Sequence, residues 1–228
     1  GLDAGARSIE IEIEGGGATL CRVRDDGAGI PADQLVLALA RHATSKIGRV
    51  EDLEAVRTLG FRGEALPSIA SVSRVKMTSR TADASVASTV TAADGVVAGP
   101  APQAHPPGTT VEVRELFFNV PARRKFLRAE RTELTQIERL VERLALSRFD
   151  VGFRLMSARR TLADHPPAGD ELGRDARVAA VLGAEFIRHA LKLDHHGAGL
   201  RLHGWICRPT YARSQADQQH FFLNGRPL

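Results

Sequence analysis

An α+β fold, with helices laid over one sheet rather than a doubly wound parallel sheet, is what this sequence predicts, and three observations carry it. Ile9, Ile11 and Ile13 alternate with Glu10, Glu12 and Glu14, and Gly15, Gly16 and Gly17 turn that strand back into another over 18–25, a hairpin. Leu134, Ile137, Leu140, Val141, Leu144 and Ala145 recur at helical spacing, which marks a helix over 132–149. Between these two, hairpins and helices are mixed without the regular βαβ alternation of a parallel sheet.

Taken in order, residues 2–6 read as the last turn of a helix capped by Gly5. The strand over 18–25 puts Thr19, Cys21, Val23 and Asp25 on one face, so a carboxylate closes a row of small side chains. Asp26 alternates away from Asp25 and is expected to face solvent. Gly27 and Gly29 follow, both able to take positive φ and to let a ligand approach the backbone. A carboxylate above an apolar floor, beside open backbone, suits a flat heterocycle with an exocyclic amine. Asp-Asp-Gly is also ordinary turn chemistry, so this stretch alone leaves both readings open.

After Pro31, Asp33 in a first turn and Leu35, Leu39 and His42 on one stripe predict a helix to about Ala43. Thr44, Ser45 and Lys46 fall in a loop, residues 51–58 in a short helix, and 59–66 in a glycine-bearing loop entering a helix that ends near Ser71. Strands are expected at 72–80, 85–92 and 96–97, the last two joined by an Asp94-Gly95 turn. Residues 99–108 hold four prolines and read as an irregular surface loop. Thr109, Val111 and Val113 share a face of a further strand, 117–127 is a turn leading into a basic helix start, and 152–161 is a strand. The segment 165–169, His-Pro-Pro-Ala-Gly, is the best linker, followed by helices at 174–182 and 185–191 and strands at 200–207 and 220–224. The strand at 220–224 enters an Asn224-Gly225 turn whose partner strand is missing, and both ends read as cut within elements. The natural protein is therefore expected to be longer at each end.

Composition bounds the function classes. Hydrophobic residues make up 43% and charged ones 25%, the balance of a globular chain. No apolar run approaches the ~20 residues of a membrane span. Cys21 and Cys207 stand alone without metal spacing, which fits a reduced, cytoplasmic protein. The net charge is +4 and its basic side is mostly arginine, suited to phosphates and carboxylates or to a solvated surface. Neither a P-loop nor a Rossmann glycine pattern is present. Three separated elements can instead converge on one ligand: Asp25 to Gly29, Thr44 to Lys46, and Gly60 to Gly63, whose backbone N–H groups precede a helix and can cradle phosphates.

In that order, Leu2-Asp3-Ala4-Gly5-Ala6, Asp25-Asp26-Gly27-Ala28-Gly29-Ile30, Arg41-His42-Ala43-Thr44-Ser45-Lys46-Ile47, Gly60-Phe61-Arg62-Gly63-Glu64-Ala65-Leu66, Gly108-Thr109, Leu116 through Leu127 and Asn224-Gly225-Arg226 resemble the MutL family of DNA mismatch-repair proteins. The resemblance spans essentially the whole chain. It implies a GHKL ATPase with a two-layer α/β sandwich of the Bergerat type over residues 1–168, followed by part of a ribosomal S5 domain 2-like domain over 169–228.

Carried over by position, Asp25 accepts from the adenine amino group, Gly27, Gly29 and Ile30 shape that pocket, and Thr109 reaches the adenine through water. Thr44, Ser45 and Lys46 border the phosphates. Gly60, Phe61, Arg62, Gly63, Glu64, Ala65 and Leu66 belong to a lid that closes over ATP. The family's catalytic glutamate and its Mg2+-binding asparagine are expected upstream of Gly1, and its γ-phosphate lysine beyond Leu228, so this chain as given is expected to hydrolyse ATP negligibly and the intact protein slowly.

The resemblance further implies ATP with Mg2+, an ATP-dependent homodimer in the intact protein, and signalling to a mismatch-recognition protein and downstream repair factors. It implies weak, sequence-independent DNA binding, no membrane, and a bacterial cytoplasmic protein associated with the nucleoid during repair. For DNA the candidates are Arg123, Arg124, Lys125, Arg128 and Arg131, which could equally be solvated or paired with Glu130 and Glu133. The alternative function is a non-hydrolysing matchmaker module that uses nucleotide only as a ligand for DNA or partner binding.

Overall fold

A computed structural model describes residues 1–40, 63–211 and 219–228. The chain divides into two compact units, one of Gly1–Val141 with Val151–Pro167 and one of Glu142–Asp150 with Ala168–Leu228.

The first unit is built on an eight-stranded sheet. Its strands are β1 (Ser8–Glu14), β2 (Leu20–Asp25), β3 (Arg74–Arg80), β4 (Ala87–Ala93), β5 (Val96–Gln103), β6 (Gly108–Arg114), β7 (Gly152–Ser157) and β8 (Arg160–His165). They lie in the order β5-β4-β3-β6-β2-β1-β7-β8, antiparallel throughout except for β1 beside β7. The β1–β2 hairpin forms as its alternation predicts, with Ile11 opposite Val23. Its three glycines all take positive φ, and a Cβ on Gly16 would fall 2.9 Å from the Glu130 carbonyl oxygen.

One face of this sheet is apolar. Ile9, Ile11, Ile13, Val75, Met77, Val90, Phe153 and Leu155 are buried there. Helix α1 (Ala32–Ala38) delivers Leu35, and Leu39 follows it, onto Val75, Met77, Val90 and Ala92, while α2 (Ala65–Ala70) adds Ala70. Each large side chain buried this way contributes about 1.5–3 kcal/mol over leaving it exposed. The opposite face is polar: Arg22 of β2 bridges Glu12 and Glu112 on the strands either side, and Arg114 also reaches Glu112. Burial alone would raise the Glu112 carboxyl, but hydrogen bonds and charge from Arg22, then Arg114, outweigh it and hold it below the usual range.

A basic turn follows at α3 (Pro121–Arg124), then the long α4 (Glu130–Ser147), whose residues to Val141 belong to the first unit and whose later ones belong to the second.

Sequence expectations are corrected at five points. Residues 99–103 are not irregular loop but the end of β5, where Pro100 and Pro102 are tolerated because β5 is an edge strand needing a partner on one side only. The strand predicted over 152–161 is a hairpin, β7 and β8, turned at Ala158 and Arg159, which take φ of 47° and 64° without a glycine to mark them. The helix expected over 185–191 is α6 (Ala184–His189); Ala190 is extended and opens β9 (Ala190–Gly197), which pairs with β10 (Leu200–Cys207). Lastly, the turn at Asn224-Gly225 has its partner: β11 (Phe222–Leu223) pairs with β12 (Arg226–Pro227). The predicted helix at 51–58 lies outside the described residues, and α1 ends at Ala38 rather than near Ala43.

In the second unit α5 (Glu171–Leu182) starts on Asp170, whose Oδ1 accepts the Gly173 N–H at 2.8 Å. Leu146, Val178 and Phe186 form its core, with Phe149 and Trp205 packed around them. Arg177, 4% exposed, donates from Nη1 to the carbonyls of Ala145 and Arg148, which takes up backbone acceptors at the end of α4. No described helix is long and apolar enough to cross a membrane.

Candidate functional site

The candidate site lies where the apolar face of the first sheet turns polar. Strand register sets Asp25 opposite Thr109, and Thr109 opposite Ser79, so the three share one row on one face of β2, β6 and β3. The neighbouring row on that face is Ile11, Val23, Val111, Met77 and Val90, an apolar floor. Asp25 is 8% exposed, Thr109 8% and Ser79 1%. Three oxygen-bearing side chains at the end of a greasy sheet are costly to bury unless hydrogen bonds satisfy them.

They are satisfied in a directional way. Asp25 Oδ1 accepts the Gly27 N–H at 2.9 Å, and its second carboxylate oxygen keeps its acceptor capacity. Ser79 Oγ accepts the Ile30 N–H at 2.7 Å and donates to the Gly108 carbonyl at 3.0 Å. With the serine proton used there, Thr109 donates across the 2.8 Å contact to Ser79, leaving its own lone pairs to accept. The row therefore offers acceptors, a carboxylate and a hydroxyl, above an apolar surface. That is the complement of a flat ring carrying an amino group.

Backbone closeness holds the row together. Gly108 takes φ of 120°, and a Cβ there would stand 2.1 Å from the Asp25 carbonyl oxygen. Of the two glycines singled out beside Asp25, Gly29 takes positive φ, 75°, and its open side is filled by the Arg80 carbonyl, 2.2 Å from an added Cβ. Gly27 does not take positive φ; a side chain there would meet Ala4 and the Asp25 carboxylate, each at 2.9 Å. Asp26 is exposed, as its alternation predicts, but it is not idle: its Oδ1 accepts the N–H groups of Arg7 and Ser8, each at 2.8 Å.

Asp25, Gly27, Gly29, Ile30 and Thr109 are thus brought to one end of the sheet. Ile30 packs its side chain against the core cluster while its N–H serves Ser79. Gly63, at φ of 63°, and Glu64 lead into α2, where Ala65 is exposed and Leu66 packs on the core. Thr44, Ser45, Lys46, Gly60, Phe61 and Arg62 lie outside the described residues. Ser79 escaped the sequence reading because nothing local marks it; its place depends on a strand pairing thirty residues away in the chain.

Arg123, Arg124, Lys125, Arg128 and Arg131 are all exposed, and none forms an ion pair among the described residues. Glu133, one of their expected partners, instead accepts the Arg128 backbone N–H at 2.9 Å.

Comparison with known proteins follows the same lines. A family model described as "DNA mismatch repair protein, C-terminal domain" matches residues 178–228. The DNA mismatch repair protein MutL of Azotobacter vinelandii is 60% identical over 99% of this chain, and that of Xanthomonas oryzae pv. oryzae 56% over 100%. The chain spans 35% and 36% of those two relatives, about a third of their length. Among solved structures, the Aquifex aeolicus MutL ATPase domain complexed with ADP is 31% identical, with a TM-score of 0.72, over 100% of this chain and 77% of that one. The N-terminal domain of a DNA repair protein, 23% identical, shares the fold at a TM-score of 0.80.

Proposed function

This chain belongs to the MutL family of DNA mismatch-repair proteins, and from that premise we propose that it is the ATP-binding region of a slow, switch-like ATPase. The observation that carries the reading is the buried acceptor row, with Asp25 above its apolar floor. Asp25 takes the exocyclic amine of adenine through its carboxylate, Thr109 takes a water at the ring edge, and Val23 and Val111 receive the ring. Gly27, Gly29 and Ile30 fix the wall of that pocket. Thr44, Ser45 and Lys46 border the phosphates, and Gly60, Phe61, Arg62, Gly63, Glu64, Ala65 and Leu66 belong to the lid.

ATP binds with Mg2+, which neutralises phosphate charge when present. What this chain's own residues supply is recognition and orientation, and none of them is assigned as the base that activates water. Residues 1–168 form the GHKL domain, and 169–228 open a ribosomal S5 domain 2-like domain. Lid closure drives homodimerisation of the intact protein, which then signals to a mismatch-recognition protein and downstream repair factors in the bacterial cytoplasm. Arg123, Arg124, Lys125, Arg128 and Arg131 hold DNA phosphates weakly and without sequence preference.

Binding and turnover of ATP are measured on one preparation of the intact protein. Saturable ATP binding with slow hydrolysis, and self-association that requires ATP, is the expected outcome. Binding without turnover would replace the ATPase by a nucleotide-dependent matchmaker, and no adenine-nucleotide binding at all would remove the reading.

A further inference from the structure

Phe126 is 84% exposed, the most exposed of the large hydrophobic side chains in the described residues. The backbone that carries it is a formed turn: its N–H donates to the Arg123 carbonyl at 3.0 Å and the Leu127 N–H to that of Arg124 at 3.2 Å. What sets it apart from the other exposed apolar side chains, such as Leu172 and Leu200, is an aromatic ring in the midst of a run of cations. Around it in sequence stand Arg123, Arg124, Lys125, Arg128 and Arg131, exposed and without carboxylate partners among the described residues. A protein docking on an apolar knob would need acids to meet those cations. A polyanion with flat apolar faces meets both at once.

We propose that Phe126 is a stacking platform for an unpaired nucleobase, and that the five cations hold the phosphates on either side of that base. This rests on the DNA reading of the basic segment and adds to it a residue that tells unpaired from paired DNA. Phosphate contacts to arginine and lysine are blind to base pairing, whereas a ring stacks only on a base face that is free. Duplex DNA then binds through the cations alone, and single-stranded DNA gains the ring.

The test uses the intact protein, a dT oligonucleotide and a duplex of equal length, titrated across salt. Phe126→Leu is expected to weaken dT binding by about 5- to 150-fold, the range of one base–aromatic stack, with duplex affinity and both salt slopes unchanged. Phe126→Trp is expected to restore dT affinity and to show indole fluorescence quenched by dT. Arg123→Ala with Lys125→Ala should weaken both ligands and lower the salt slope by about 1.8 for duplex and about 1.4 for dT. The stacking role is overturned, while the DNA reading stands, by Phe126→Leu leaving dT affinity unchanged or weakening duplex equally. An indole signal in the Phe126→Trp variant that dT does not quench overturns it as well. Unchanged affinity and slope in the double-alanine variant overturns the DNA reading of this segment itself.

Discussion

Replacing Asp25 by asparagine separates recognition from folding at the candidate site. The amide oxygen can keep the 2.9 Å bond from the Gly27 N–H, so the turn into α1 retains its anchor. The other position changes from a carboxylate oxygen to an NH2 group, and a donor then faces the adenine amine, itself a donor. Losing a charge-assisted acceptor costs about 1.5–3 kcal/mol, and leaving a buried donor unpaired adds about 1–3 kcal/mol. At 8% exposure little water can rescue it. ATP affinity is therefore expected to fall roughly 10²- to 10⁴-fold, with thermal stability nearly unchanged. The same swap has a second signature. A 6-oxo purine presents an acceptor where adenine presents a donor, so Asp25→Asn should move the ATP:GTP preference towards GTP. Titration of both nucleotides by calorimetry, beside a melting curve, reads both effects. An Asp25→Asn protein that binds ATP within about three-fold of wild type, with its ATP:GTP ratio unmoved, would refute the assignment of the adenine amine to this carboxylate.

Gly108→Ala places a Cβ 2.1 Å from the Asp25 carbonyl at φ of 120°, so urea unfolding should show a loss of about 3 kcal/mol or more. Gly95→Ala, at φ of 78° with nothing within 4 Å, should cost only about 1–2 kcal/mol, and equal costs would contradict the close approach. Glu112, held below the usual carboxyl range by Arg22 and Arg114, contributes stability that is complete above its unfolded value and is lost as pH falls through the folded one. Urea midpoints across the acid range should therefore decline less steeply for Glu112→Gln than for wild type.

What the sequence discloses follows the range of the interactions involved. The β1–β2 hairpin was legible because Ile9 to Glu14 alternate and Gly15 to Gly17 turn them, all within neighbouring residues. The amphipathic stripe of α4 is legible for the same reason, with Val141 and Ala145 buried, but Leu140, which the spacing places in the stripe, is 53% exposed. β8 is not separable from β7 in the sequence because the turn between them, at Ala158 and Arg159, contains neither glycine nor asparagine. β9 carries no strand signal of its own because Lys192, Asp194, His195 and His196 hide its alternation among polar residues. At the candidate site Asp25 and Thr109 stood out through motifs, whereas Ser79 and the role of Gly108 depend on which strands neighbour β6, a fact of topology that no local pattern holds. Asp26 was expected to face solvent and does, yet its bonds to Arg7 and Ser8 could not be foreseen from alternation alone.

The prolines that disguised β5 also decide what can be added to it. An edge strand with its full complement of N–H groups is a template on which a neighbouring molecule can lay another strand, and β5 begins with the well-exposed Val96 and Val97. Pro100 and Pro102 remove two donors from that rim, so an incoming strand finds gaps in the ladder just where it would need to zip. A sheet eight strands wide is thereby stopped at this end. The open, partly apolar edge thus offers an interrupted ladder to a second copy of the sheet.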